Sequence, residues 1–297
     1  MKEQNGSSYQ ASEFLKAMGL AEAKVGKTCA LVAWTLGLMP GQKFGGVIDK
    51  PENLHVLSLD AAAIRGAIGF LKMLNAPKEA FNFKVYNLED DVRRVSCGTE
   101  EWDYSLYNNV LTTVRKITDR CKGGSPVIIV SSLTTLALAL ERAIAGPPNE
   151  AKRGAGMDQA KWSDFARQLN EIRNVLQQDS WHCIWEGHIY KPPATGQNKN
   201  ADDAPRETLQ VAGKAGYNFP NNVEQVFRIR RMFGQSIEGN SKIDQVYLDT
   251  RPSMEFIAGG RLFTEALDAK EYDLTLATYK LGLTVGRWGA KKKEKAA

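Results

Sequence analysis

The sequence has little of what an extracellular or membrane protein needs. Its four cysteines are widely scattered and form no C-x-x-C pair, which argues against a zinc site and against a disulfide framework. No apolar run approaches the roughly 18–20 residues that cross a bilayer. The polar first six residues also lack the apolar core of a signal peptide. We therefore expect a cytoplasmic protein with no membrane partner.

Composition excludes less than these absences do. The apolar and charged fractions are those of a soluble globular protein, and 297 residues can bury a substantial core. The net charge of +5 is mildly basic, so it permits a nucleic-acid partner without requiring one. Neither an internal repeat nor a clear linker divides the sequence.

Residues 21–28 carry the most informative motif, Ala-Glu-Ala-Lys-Val-Gly-Lys-Thr, which matches the P-loop pattern [A/G]-x-x-x-x-G-K-T. Gly26 lets the backbone approach a phosphate chain, Lys27 would reach the β- and γ-phosphates, and the Thr28 hydroxyl would hold Mg²⁺. The motif therefore predicts ATP and Mg²⁺ as cofactors. The alternative is a chance G-K-T at a helix start. The candidate nucleotide-binding residues are Ala21, Glu22, Ala23, Lys24, Val25, Gly26, Lys27, Thr28 and Cys29.

Beyond the P-loop, predicted helices and strands alternate. Strands are predicted at 53–60, 81–86, 127–130 and 181–188, and helices at 66–74, 104–121, 136–144 and 162–178. The region before the P-loop, 12–20, has only part of a strand pattern. Alternation predicts an α/β fold with a mostly parallel sheet flanked by helices. Segments 223–231 and 245–250 are predicted to add antiparallel strands at the C-terminal side.

Several polar side chains fall where predicted strands end. Asp60, Ser131 and His188 occupy such positions, and Glu186 alternates with His188 on one strand face. Ligands of open α/β sheets bind at the carboxyl ends of the strands, so these residues should lie near the P-loop. Each also has a structural interpretation: Asp60 as a helix cap, Ser131 as part of the next helix start, and His188 as a residue bonded to neighbouring backbone.

The order of these features resembles the RecA-like ATPase core. It resembles more narrowly the phage-encoded RecA-like nucleotide-binding proteins, a group that includes single-strand annealing recombinases. The matching stretches are 21–28, 126–134 and 184–188, with a looser match at 213–215 and 219–221. The resemblance covers roughly residues 10–265 and implies one ATP-binding core at 1–265. A C-terminal helix and basic tail would occupy 266–297.

The resemblance also implies roles for the strand ends. Strand 127–130 corresponds to the Walker B strand, but its closing aspartate is Ser131 here, which can order a Mg²⁺-bound water without adding charge. Losing that carboxylate weakens hydrolysis more than nucleotide binding. The expectation is a slow ATPase or a nucleotide switch, with Asp60 or Glu186 as the replacement catalytic base. His188 matches the γ-phosphate sensor.

Two segments and a set of basic residues are the candidate contacts with DNA. The segments at about 145–156 and 191–216 resemble the two DNA-facing loops of RecA-like proteins. The basic residues would bind nucleic acid or reach a neighbouring subunit's nucleotide, the alternative being a solvated sheet face. They are Arg228, Arg230, Arg231 and Lys214.

The sequence thus predicts an ATP-binding protein that assembles as a ring or filament on single-stranded DNA. Its role would lie in recombination, annealing or replication, and in a host cytoplasm if a phage encodes it. Two alternatives stay open. One is a nucleotide-binding structural or assembly protein with little or no turnover, and the other is a helicase-type or packaging-type DNA motor.

Overall fold

A computed structural model describes 13 parts of the chain, and they include ten strands and six α-helices. The described residues are 15–38 without Lys24, 48, 50–96, 105–120, 126–146, 157–178, 181–190, 207–212, 218–235, 242–249, 259–260 and 271–273. The strands are β1 Lys16–Ala21, β2 Leu54–Ser58, β3 Lys84–Asn87, β4 Val127–Ser131, β5 His182–Tyr190, β6 Thr208–Leu209, β7 Gln225–Gln235, β8 Lys242–Asp249, β9 Gly259–Gly260 and β10 Glu271–Asp273. The helices are α1 Lys27–Thr35, α2 Ala61–Met73, α3 Glu89–Ser96, α4 Ser105–Arg120, α5 Leu133–Ala145 and α6 Gln159–Leu176.

Eight of the ten strands follow the order β10-β8-β7-β1-β5-β4-β2-β3 in one mixed sheet, and β6 and β9 pair antiparallel with β5 and β7. The six strands from β7 to β3 are parallel to one another, whereas β8 runs antiparallel to both β7 and β10. This topology confirms the predicted α/β class and the antiparallel strands at the C-terminal side. Because β10 pairs with β8, the sheet continues beyond residue 265, where the sequence predicts the core to end.

Helices cover both faces of the sheet, as the apolar run of β4 predicts. Val127 and Ile129 join the core cluster that contains side chains of α1 and α2. Ile128 and Val130 join a second cluster with side chains of α4, α5 and α6. Successive residues of a strand point to opposite faces, so a central strand buried on both sides needs an uninterrupted apolar run.

β1 is a fully buried strand although its sequence contains a lysine and a glycine. The Lys16 ammonium satisfies its hydrogen bonds by donating to the backbone carbonyls of Gln178 and Trp181. Gly19 leaves room for the neighbouring strand, because a Cβ there would lie 2.9 Å from Ile229 Cδ1. The sequence of β1 is therefore explained as that of a buried strand only when these tertiary contacts are known.

Other predicted boundaries shift in the structure. α3 was not among the predicted helices, and β3 occupies 84–87 instead of 81–86 because a 3-10 turn, Lys78–Asn82, precedes it. α2 begins at Ala61 instead of Gly66, since the Asp60 carboxylate accepts a hydrogen bond from the Ala62 N–H at 2.8 Å and caps the helix. Of the helices that the structure describes, not one has the length and apolarity to cross a membrane.

Candidate nucleotide-binding site

The P-loop connects the end of β1 to the start of α1 at the carboxyl edge of the parallel strands. Gly26 is the N-cap of α1 and has a φ of 84°, in the left-handed region that favours glycine. A Cβ at Gly26 would meet nothing within 4 Å, so open space lies beside the helix N-terminus. A helix N-terminus that opens onto such a space suits a phosphate group.

Lys27 folds back over this loop. Its side chain is 4% exposed, and Nζ donates a hydrogen bond to the Glu22 carbonyl oxygen at 2.9 Å. Burial lowers the pKa of the Lys27 ammonium, and the negative charge of Glu186 opposes that shift. The lysine charge is thus held across the P-loop and close to the end of β5.

Thr28, Ser131 and Glu186 form a buried cluster of oxygen atoms, called here the Thr28 cluster. Thr28 Oγ1 donates to Glu186 Oε2 at 2.6 Å and lies 3.1 Å from Ser131 Oγ. Thr28 lies in the first turn of α1, directly after β1, whereas Ser131 and Glu186 lie on β4 and β5. The three meet because β1, β5 and β4 are adjacent parallel strands. The sequence predicted all three as site residues, but it did not predict that Glu186 bonds to the P-loop threonine.

Burial dominates the electrostatics of Glu186. Its side chain is 4% exposed, and burial raises the pKa of the Glu186 carboxyl. The hydrogen bond from Thr28, the charge of Lys27 and a hydrogen bond from Ser131 counter this shift by favouring the carboxylate, while the charge of Asp60 adds to it. The carboxylate therefore depends on the P-loop for much of its compensation.

Asp60 and His188 lie at the same edge but outside the Thr28 cluster. The Asp60 carboxylate caps α2. His188 pairs in register with Ala21, and its backbone N–H donates to Thr134 Oγ1 at 2.9 Å. Burial and the charge of Lys27 lower the pKa of His188, and Asp60 opposes them. The helix cap that the sequence allows for Asp60 is thus present, whereas the His188 bond runs from its backbone N–H to a threonine side chain. The catalytic roles of both residues stay predictions.

Arg228 lies beside the P-loop in an ion-pair cluster. It is on β7 opposite Leu20, and its Nη2 is 3.1 Å from Glu207 Oε1 and 3.8 Å from Glu22 Oε1. Its side chain is 16% exposed, so it does not belong to a solvated sheet face. Sequence reasoning missed Glu207, since nothing local marks it as the partner of an arginine on another strand.

Part of the predicted site lies beyond what the structure describes. Lys24, Lys214 and most of the segments 145–156 and 191–216 lie outside the described residues. Arg230 and Arg231 belong to β7, but their side chains are also outside that part. Of the remaining P-loop residues, Ala21 ends β1, Ala23 is exposed, and Val25 and Cys29 are partly buried. The nucleic-acid and inter-subunit roles stay predictions.

The described residues fit Mg²⁺ and a nucleotide phosphate chain. Mg²⁺ prefers oxygen ligands and usually keeps several waters, with few carboxylates and with phosphates of the substrate. The Thr28 cluster offers two hydroxyls and one carboxylate, and open space lies beside Gly26, two residues before Thr28. Within the described ranges there is no group of three or more His, Cys, Asp or Glu side chains that could hold a metal by itself.

Comparisons with known proteins find distant structural similarity only. No protein-family model matches the chain, and no curated protein matches it. A solved ATPase from the type III secretion system of pathogenic bacteria is 12% identical with a TM-score of 0.40, over 73% of this chain and 52% of that one. The ATPase domain of G40P is 12% identical with a TM-score of 0.37, over 80% and 76%.

This chain spans about half the length of the secretion ATPase, and similarity at this level assigns neither family nor activity. The sheet order and the placement of the P-loop are observations on this chain itself. Together they give it an α/β fold with a mostly parallel sheet and a P-loop between β1 and α1.

Proposed function

We propose that this chain binds ATP with Mg²⁺ at the P-loop and that the nucleotide controls its binding to single-stranded DNA. It would act in recombination, annealing or replication, as a homo-oligomer in the cytoplasm. One observation carries the nucleotide part of the proposal. The P-loop places Lys27 and Thr28, both buried, beside the ends of β4 and β5 and next to open space at Gly26.

In this proposal each P-loop residue has one task. The first N–H groups of α1 bind phosphate oxygens, since they have no partner within the helix. Lys27 would leave the Glu22 carbonyl and bind phosphate oxygens, and the Thr28 hydroxyl would be a ligand of Mg²⁺. When bound, Mg²⁺ neutralises charge on the phosphates. Asp60 is the candidate base for the attacking water, because its carboxylate is exposed at the strand edge.

The proposed link to DNA is based on where His188 and Thr134 lie relative to the two predicted DNA-facing segments. His188 is on β5 directly before the segment at 191–216, and its N–H bonds to Thr134 in α5, which leads into the segment at 145–156. A change at the nucleotide would therefore reach both predicted DNA-facing segments through adjacent elements. The net charge of +5 permits a polyanion as the partner.

A second candidate function is nucleotide-dependent assembly without turnover. It is favoured by Ser131, which ends β4 with a hydroxyl where the resemblance leads us to expect an aspartate. A protein of this kind would bind ATP tightly and hydrolyse it little, with no dependence on DNA. A translocating motor is less well supported, since it usually needs an intact catalytic carboxylate.

Fluorescence anisotropy with a labelled single-stranded oligonucleotide tests the proposal. DNA affinity should rise with a non-hydrolysable ATP analogue and fall between about 50 and 200 mM salt, because phosphate contacts release counterions. The nucleotide effect should vanish in Lys27→Ala. It should persist in Lys116→Ala, which removes an exposed lysine of α4. ATP binding without any DNA binding would contradict the proposal and favour assembly.

A further inference from the structure

The carboxylate in the Thr28 cluster comes from a different strand than the resemblance implies. An aspartate at the end of β4 would be expected, but Ser131 is there. Glu186 on β5 supplies the carboxylate, and its Oε2 accepts a hydrogen bond from Thr28 Oγ1 at 2.6 Å. Ser131 stays within the same cluster, with its Oγ 3.1 Å from Thr28 Oγ1. The hydroxyl and the carboxylate thus occupy neighbouring strands beside one P-loop residue.

The sheet geometry explains why β5 can provide this group. β5 lies between β1 and β4, and the pairing of Val130 with Trp185 brings Ser131 and Glu186 to the same level. Glu186 also pairs in register with Gly19 of β1. Glu186 therefore lies on the strand adjacent to β1, which leads into the P-loop, and Ser131 lies one strand further away.

We propose that Glu186 is the residue that positions Mg²⁺ in this protein, in place of a carboxylate on β4. Glu186 orients the Thr28 hydroxyl, and its carboxylate would accept hydrogen bonds from water on the bound ion. The Ser131 hydroxyl would bind such water from β4, the next strand. This inference rests on the proposed nucleotide function. It gives Glu186 a task other than that of the catalytic base, which the sequence alone suggested, and it leaves Asp60 as the candidate base.

The hydrogen-bond chemistry of Thr28 supports this assignment. A threonine hydroxyl has one proton and two acceptor lone pairs. Because the proton is donated to Glu186, Thr28 can only accept in its contact with Ser131, which leaves one lone pair for a cation. Glu186 is almost fully buried, and a buried carboxylate is costly unless nearby positive charge compensates for it. The charge of Lys27 favours the Glu186 carboxylate, and a divalent cation at the cluster would add positive charge that stabilises it further.

The test measures metal affinity apart from turnover. Mn²⁺ serves as the probe and is titrated by electron paramagnetic resonance into the full chain saturated with a non-hydrolysable ATP analogue. Glu186→Gln keeps the shape and a hydrogen-bond acceptor but removes the charge. It should weaken Mn²⁺ affinity about 10- to 100-fold, the usual effect of losing an outer-sphere partner. Nucleotide affinity in EDTA should not change.

A relocation variant makes the test specific. Glu186→Gln combined with Ser131→Asp puts the carboxylate back at the end of β4, and it should recover most of the Mn²⁺ affinity. Ser131→Ala is the matched control and should lose less affinity than Glu186→Gln. Thermal unfolding without ligands checks that each variant folds.

Other results would overturn the inference. Unchanged Mn²⁺ affinity in Glu186→Gln would do so. So would a loss of nucleotide affinity in EDTA as large as the loss of metal affinity, since Glu186 would then only support the P-loop. If the wild-type chain binds no nucleotide at all, the proposed function itself fails, and this inference fails with it.

Discussion

His182 should make the stability of the fold depend on pH. It opens β5 at the end of the sheet away from the P-loop, and it is buried. Its Nδ1 accepts a hydrogen bond from the Leu15 backbone N–H at 2.9 Å. A nitrogen that accepts a hydrogen bond carries no proton, so the ring is neutral in the fold. Burial and then the charge of Lys16 lower the pKa of His182 to about 4.

The sign of the effect follows from this depressed pKa. In the unfolded chain the pKa of His182 is 6.5, so between pH 6.5 and about 4 the unfolded state binds a proton that the folded state does not. The free energy of unfolding therefore falls as pH falls through this window, by about 1.4 kcal/mol per pH unit and about 3 kcal/mol in all. Above pH 6.5 the stabilisation is complete.

Urea unfolding followed by circular dichroism across pH 4–7.5 measures this dependence. His182→Asn is the control, because its amide oxygen can accept the Leu15 N–H but does not titrate. Its absolute stability is expected to change, so only the pH slopes are compared. The wild type should lose about 3 kcal/mol more than the variant between pH 6.5 and 4. Parallel slopes would refute the reasoning, since other groups would then account for the whole pH effect.

Three glycines give further predictions. Gly26→Ala should lower the free energy of unfolding by about 1–3 kcal/mol, the cost of a left-handed alanine, and should weaken ATP-analogue binding measured by fluorescence titration, because a Cβ enters the open space. Gly187→Ala should lower the free energy of unfolding by about 1–3 kcal/mol in urea, because its Cβ would lie 2.5 Å from Leu209 Cδ1. Gly69→Ala, exposed on α2 with nothing within 4 Å, should raise it by about 0.5–1 kcal/mol, and a loss there would contradict this use of local space.

Local patterns were enough to predict most of the fold. The apolar run at 127–130 predicts a central strand covered on both sides, and the structure confirms it. The motif at 21–28 predicts a loop between a strand and a helix, and this too is confirmed. Such patterns succeed because each strand or helix carries the periodicity of the surfaces that it buries.

Features that depend on distant contacts could not be predicted. β1 has only part of a strand pattern because it contains a lysine. Lys16 can be buried because its ammonium donates to the carbonyls of Gln178 and Trp181, which are distant in sequence. α3 begins with Glu89 and two aspartates, a composition that stabilises a helix N-terminus but gives no apolar stripe. The Thr28–Glu186 bond and the Arg228–Glu207 ion pair both depend on which strands are adjacent, and single residues do not encode that order.

Equilibrium binding of ATP to the purified wild-type chain, beside Lys27→Ala and Lys116→Ala, tests the central claim most directly. The account predicts that the wild type and Lys116→Ala bind ATP, more tightly with Mg²⁺ than in EDTA, and that binding is lost in Lys27→Ala. Absence of ATP binding by the folded wild-type chain would contradict the account, and residues 21–28 would then match the P-loop pattern by chance.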